Sequence, residues 1–261
     1  MYRRGIIYYS DELRDEFSAA QITPRTIDGS YVYDRTSPWM RFTHFFWYRL
    51  VATPIAFLYT KIFFHHRVVN RECLRACADR GYFLYGNHTQ DIADAFIPNM
   101  LRVAKETYVI VHPNNVSMPI LGKITPSLGA IPLPDDMEAY RHFSQVIQKR
   151  IVEGRQVVIY PEAHIWPYYT RIRHFPDTSF GYPVKCDAPV FCFTNTYQRR
   201  RWSKKPRIVT YIDGPFFPNK NLPQRDRKGE LRDRVYACMC ERAKHSEVTW
   251  IHYIKKDATN G

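Results

Sequence analysis

The stretch "GYFLYGNHTQDIADAFIPNM", Gly81 to Met100, decides the fold. "GYFLYGNH" reads as a strand ending in a glycine turn, and "DIADAFIPNMLRVAKE", Asp91 to Glu106, as the helix that follows. The same alternation continues downstream. "TYVIVHP" and "GAIPL" are strands, and "MEAYRHFSQVIQKRIVEG" has helical spacing stopped by Gly154 as a C-cap. "QVVIYPE", "APVFCFTNTY" and "PRIVTYIDGPF" are strands, and "KGELRDRVYACMCERAKH" closes as an amphipathic helix. Strands alternating with helices predict an α/β sheet, in which functional residues collect just past the carboxyl ends of strands. The opening stretch lies at such an end, and so does "YPEAH".

Upstream the composition changes. Residues 1–36 are mixed and polar and read as an N-terminal arm. Residues 37–66 hold the most apolar segment, "WMRFTHFFWYRLVATPIAFLYTKIFF", interrupted by Arg41, Arg49 and Lys61, with Pro54 set to kink any helix. Its longest uncharged run, Leu50 to Thr60, falls short of the roughly 20 residues that span a bilayer. Aromatics beside cations suit one or two helices lying in a membrane interface, with a buried helical hairpin as the alternative. Residues 67–261 form the α/β domain.

The chain of 261 residues is 45% hydrophobic, enough for a substantial core, and its formal net charge of +13 predicts an anionic partner. Nucleic acid, an acidic lipid surface and phosphorylated small molecules all qualify. "QRRRWSKKPR", Gln198 to Arg207, is the densest basic run; without a nucleic-acid-binding motif it reads as a solvated hairpin loop able to touch anionic headgroups. The six cysteines show no C-x-x-C and no zinc-finger spacing, and no secretory signal is present, so they read as reduced cytosolic thiols.

Two constellations could carry chemistry. His88 stands between strand and helix, ahead of Asp91 and Asp94, which share a helix face. A carboxylate on one imidazole nitrogen fixes the tautomer and leaves the other nitrogen as a general base. Aspartates also favour a first helical turn for the dipole alone, so the spacing leaves the choice between the two open. No G-x-S-x-G elbow and no cysteine in a catalytic setting accompany the histidine, which points to direct attack by a substrate hydroxyl or amine. In "VVIYPEAHIWP", Glu162 and His164 follow an apolar strand; they suit metal ligation weakly, or Glu162 an ion pair with a nearby arginine. Arg171 and Arg173, two apart on an extended segment, would point the same way and form a phosphate clamp.

The ordered blocks "GNHTQDIAD", "LGAIPLPDD", "YPEAHIW" and "APVF" resemble those of the 1-acylglycerol-3-phosphate acyltransferase family, over roughly residues 68–215. The resemblance implies a mixed sheet flanked by helices behind a membrane-seated helical pair. It also implies acyl transfer from acyl-CoA or acyl-carrier protein to a lysophospholipid, and a place at the cytoplasmic face of the membrane as a peripheral or monotopic protein. It implies His88 as base with Asn87 beside it. Five residues separate His88 from Asp94 where the family has four, and the resemblance favours Asp94 over Asp91. It sets Glu162, with the backbone around Ala163 and His164, beside the acceptor phosphate or the developing oxyanion, and calls for no metal or other cofactor. Both family arginines are absent from their places. Asp135 and Asp136 end the second block, and Ala163, His164 and Ile165 stand where the third has Gly, Thr and Arg. Arg171, Arg173 and Lys123 are the candidates to replace them. The alternatives are another lysolipid or amino-lipid acceptor, a metal-dependent hydrolase using His88, Asp91, Asp94 and His164, and a nucleic-acid-binding module using Arg199–Arg207.

Overall fold

The computed structural model describes residues 4–18 and 22–256. The first three residues of the arm, its residues 19–21 and the final 257–261 of the α/β region lie outside the described residues. In chain order the elements are β1 (Gly5–Tyr9), α1 (Pro38–Phe45), a π-helical turn (Phe46–Ala52) and α2 (Thr53–Phe64). Then come β2 (Arg67–Val69), β3 (Tyr82–Gly86), α3 (Ala93–Leu101), β4 (Thr107–Val111), the one-turn α4 (Asn114–Ser117) and α5 (Leu121–Ile124), and β5 (Ala130–Pro132). The rest is α6 (Met137–Val152), β6 (Gln156–Ile159), α7 (Gly181–Cys186), β7 (Val190–Arg200), β8 (Ser203–Phe216), α8 (Gln224–Ala243) and β9 (Ile251–Lys255).

Seven strands form one mixed sheet in the order β2-β8-β7-β3-β6-β4-β5, parallel at every pair except β7–β8. β3 lies at its centre, and all five of its residues are buried. Alternate side chains serve opposite faces. Phe83 and Tyr85 join Phe143 and Ile147 of α6 and Leu231 and Val235 of α8, whereas Tyr82 and Leu84 join Phe64 of α2 and Ile97 of α3. A strand covered on both faces needs a continuous apolar run rather than alternation, and this is what makes "YFLY" legible. Each large side chain withdrawn from water there contributes about 1.5–3 kcal/mol.

Gly86 serves a purpose other than the expected turn. A Cβ at this position would meet the Phe193 ring at 2.1 Å, so glycine lets β7 close against β3. α3 is shorter than the pattern predicts, ending at Leu101, where Arg102 leaves helical geometry. α6 starts on Asp136, whose carboxylate accepts the Ala139 N–H at 2.7 Å, and Gly154 takes φ 75° just beyond its end.

The apolar segment is helical from Pro38 to Phe64. Pro54 has no N–H and would crowd a carbonyl one turn back, and the chain widens into the π turn just before it, the Thr53 N–H reaching Tyr48 O. Among the described residues no helix is long and apolar enough to cross a membrane. Trp39, Phe42, Phe46, Leu50, Phe57 and Ile62 are exposed along these helices. The basic run is a hairpin turning at Arg201 and Trp202, with Trp202 86% exposed. It stands beside the end of α2, where Arg200 Nη1 donates to Phe63 O at 3.2 Å.

The arm is docked rather than extended. β1 pairs in parallel with β9, so the expected polar arm contributes a strand. Asp135 and Asp136, which stand where the resemblance expects an arginine, bind this arm: Asp135 Oδ2 accepts Ile27 N at 2.7 Å, and Asp136 Oδ2 accepts Gly29 N at 3.2 Å.

Candidate active site

His88 leaves the carboxyl end of β3 on a turn that leads into α3. Its Nδ1 lies 2.9 Å from Asp94 Oδ2. The same oxygen accepts the backbone N–H groups of Thr89 at 2.7 Å and Gln90 at 2.8 Å, while Oδ1 accepts Asn195 Nδ2 at 3.2 Å. Asp94 is 1% exposed, so these donors replace water around its charge. A carboxylate only accepts, so Nδ1 carries a proton, which in the neutral imidazole leaves the lone pair on Nε2. The imidazole stacks on Tyr160, with ring centroids 4.4 Å apart, and the Tyr160 hydroxyl donates to Asp94 O. Burial, with Asp94 nearby, pushes the Tyr160 phenol well above its ordinary range, so it stays a neutral donor. The His88 side chain remains 18% exposed and can meet a substrate.

Asp91 stands in the turn ahead of α3 and is not the partner of Nδ1. α3 begins at Ala93, so Asp91 lies in the turn ahead of the helix and Asp94 in its first turn.

The second constellation corrects several expectations. Asn87 is buried, and its amide is spent on backbone: Oδ1 accepts Asn195 N at 2.8 Å and Nδ2 donates to Asn195 O at 3.1 Å. It extends the β3–β7 ladder and is not placed to bind substrate. Glu162 is buried and paired with Arg173, whose Nη2 donates to Oε2 at 3.1 Å. The carboxylate also accepts the N–H groups of Arg173 at 3.1 Å and of His88 at 3.3 Å. Burial pushes the Glu162 carboxyl above its ordinary range, against the pull of Arg173. The arginine is therefore internal, stacked over Trp166 at 5.0 Å, and cannot clamp a phosphate. Arg171 sits at a bend, exposed, over Tyr169 at 5.5 Å; the segment is not extended, so the two guanidiniums part. Of the expected roles for Glu162, the ion pair with an arginine is the one the structure displays.

Ala163 is exposed with φ 63°, the left-handed region that glycine adopts freely. Its N–H closes a turn on Tyr160 O at 3.1 Å, and that of His164 reaches Glu162 O at 2.7 Å, so neither points to an oxyanion. His164 Nδ1 lies 3.2 Å from Glu16 Oε2, turned to the arm. Lys123 is exposed on α5.

The four residues of the metal-hydrolase alternative do not converge. Among the described residues, three ligand atoms lie within 4.8 Å of one another at Cys192, Asp213 and Cys238, where Arg242 already binds Asp213 at 2.8 and 2.5 Å. All six cysteines are unpaired thiols.

Asn195 and Glu16 carry no signal of their own among the site motifs of the sequence. Asn195 lies in the polar run Thr194-Asn195-Thr196 within an apolar strand, all three residues fully buried or nearly so.

A histidine oriented by a buried carboxylate, at the strand ends of a mixed sheet, has the geometry that a general base needs. The acyltransferase family model matches residues 65–194, and the chain belongs to that family. In fold it is similar to PlsC, the 1-acyl-sn-glycerophosphate (LPA) acyltransferase from Thermotoga maritima. The TM-score is 0.56 at 16% identity, over 80% of this chain and 89% of that one. No curated protein matches in sequence.

Proposed function

We propose that this chain moves a fatty acyl group from acyl-CoA or acyl-carrier protein to the hydroxyl of a lysophospholipid, with 1-acyl-glycerol-3-phosphate first among acceptors. The observation that carries the reading is the His88 Nδ1–Asp94 Oδ2 pair, 2.9 Å long and fully oriented on the carboxylate side. Nε2 takes the acceptor's hydroxyl proton as the oxygen forms a bond to the thioester carbonyl carbon. The tetrahedral intermediate then collapses, the C–S bond breaks, and the imidazolium returns the proton to the leaving sulfur. Asp94 stabilises the transient imidazolium. No step draws on a metal or another cofactor.

The test is thiol release from acyl-CoA by detergent-solubilised protein across a panel of lysolipids. Release that requires 1-acyl-glycerol-3-phosphate is the expected result. A second reading, transfer to another lysolipid or to an amino lipid, is favoured by one observation: no arginine occupies either family position, and Arg173 is consumed by Glu162. Release only with such an acceptor selects it. Absence of release with every acceptor sinks both.

The exposed aromatic helices beside the basic hairpin support a seat on an anionic membrane surface, and we propose its cytoplasmic face. Replacing Trp39 and Phe42 together by Ser removes two exposed rings. Each ring contributes about 1.5–3 kcal/mol when withdrawn from water, so sedimentation with phosphatidylglycerol-containing liposomes should weaken at least tenfold. Undiminished co-sedimentation would refute the interfacial role of these helices. Under this reading the basic hairpin meets lipid headgroups and not nucleic acid.

A further inference from the structure

The His88–Asp94 pair is the end of a longer chain of buried hydrogen bonds crossing three strands. Asp94 Oδ1 accepts from Asn195 Nδ2 at 3.2 Å. Thr210 Oγ1 donates to Asn195 Oδ1 at 2.6 Å, and His66 Nε2 lies 2.8 Å from that same Oγ1. Asn195 on β7 and Thr210 on β8 are direct partners across the antiparallel pair. His66 leads into β2, which pairs with β8 on its other side. Exposure is 1% for Asn195, 0% for Thr210 and 2% for His66, so water cannot substitute for a missing link.

Chemistry assigns a direction to every link. Asp94, as a carboxylate, takes only donors, so Asn195 must turn its NH2 to Asp94 and its carbonyl to Thr210. Thr210 has one hydroxyl proton, and it is committed to that carbonyl. The contact with His66 therefore requires Nε2–H to donate and Thr210 to accept. A flipped Asn195 amide would set its oxygen against the Asp94 carboxylate and its NH2 against the Thr210 proton; Thr210 penalises that flip. His66 in turn keeps the hydroxyl aimed. Burial, with Lys61 and Arg71 nearby, pulls the His66 pKa down to about 3, so the ring is neutral.

We infer that His66, Thr210 and Asn195 are positioning residues that act on His88 through Asp94, an inference that rests on the acyl-transfer reading for its kinetic consequence. The relay holds Oδ1 from behind so that Oδ2 keeps its geometry to the imidazole. His66 follows the end of α2 by two residues, so the relay also ties the root of that helix to the acid–base pair.

Two measurements test it. In the full chain labelled with ¹⁵N-histidine, His66 should appear as a neutral ring protonated at Nε2, unchanged between about pH 8 and 5.5, a range in which an ordinary histidine titrates. A His66 that titrates there, or that carries its proton on Nδ1, overturns the relay. In parallel, Thr210→Val removes the hydroxyl and keeps the shape. It should lower kcat about tenfold with both KM values changed less than about twofold, and Thr210→Ser should restore the rate. Full kcat in Thr210→Val, or Thr210→Ser as slow as Thr210→Val, also overturns it. If both variants unfold, the spectra of the parent protein decide alone. Those spectra need no substrate, so a parent that releases no thiol refutes the acyl-transfer reading while the relay is still tested.

Discussion

His88→Ala lowers thiol release from acyl-CoA by about 10²- to 10⁴-fold, the range over which a positioned general base acts, with KM for the acyl donor little changed. Asp94 has to be tested beside it. In Asp94→Asn the side chain keeps its size, but the amide cannot accept from His88 Nδ1–H, Thr89 N–H, Gln90 N–H and Asn195 Nδ2 as the carboxylate does. The imidazole loses its fixed tautomer and the imidazolium its counter-charge, so the rate should fall nearly as far. The pair works as one unit, and the double variant should be little worse than His88→Ala alone. Additive losses across the two would mean that Asp94 acts elsewhere. Undiminished release in His88→Ala would end the proposed mechanism.

The second large effect is on stability. Arg173→Met removes the partner of a carboxylate whose side chain is fully buried and should destabilise the fold by about 3–5 kcal/mol, as breaking a buried pair does when one charge is left behind. The pH dependence has a definite sign. Burial already holds the Glu162 carboxyl above its ordinary range, and loss of Arg173 raises it further. A raised carboxyl favours the folded state below its unfolded pKa, and that contribution is lost as pH rises through the folded value. Urea unfolding should therefore show the larger penalty near neutrality or above and the smaller one in acid. Glu162→Gln combined with Arg173→Met should recover part of the loss, because no buried charge then remains. Equal penalties at both pH values would show that Glu162 is not the stranded charge.

Much of this architecture was legible because it is local. A centrally buried strand must be apolar throughout, and "YFLY" and "QVVI" are. A helix start needs a cap and an end needs a left-handed residue, which Asp136 and Gly154 provide around α6. The histidine and Asp94 lie only 6 residues apart, with Asp91 between them, so a pair was foreseeable. Which aspartate served was not, because His88 sits in irregular chain ahead of α3 and no helical or strand spacing relates it to Asp91 or Asp94. Arg171 and Arg173 misled for the same reason: their shared face presumed a straight segment, and the chain bends at Arg171.

By itself, then, the sequence determined the alternation of the central strands and helices, the apolar and aromatic run of Trp39–Phe64, and His88 beside a carboxylate at a strand end. Those features depend on side-chain period and on neighbours a few residues apart. Only the tertiary structure decided that Asp94 is the partner and that Arg173 is consumed by Glu162. It alone brought Asn195, Thr210 and His66 behind the site. Asn195 and Asp94 are 101 residues apart, and Thr210 and His66 are 144 apart. Such contacts exist only once β7 has settled between β3 and β8 and β2 has paired with β8, each in one register. A register shift of one residue would turn the Asn195 or Thr210 side chain to the other face of the sheet.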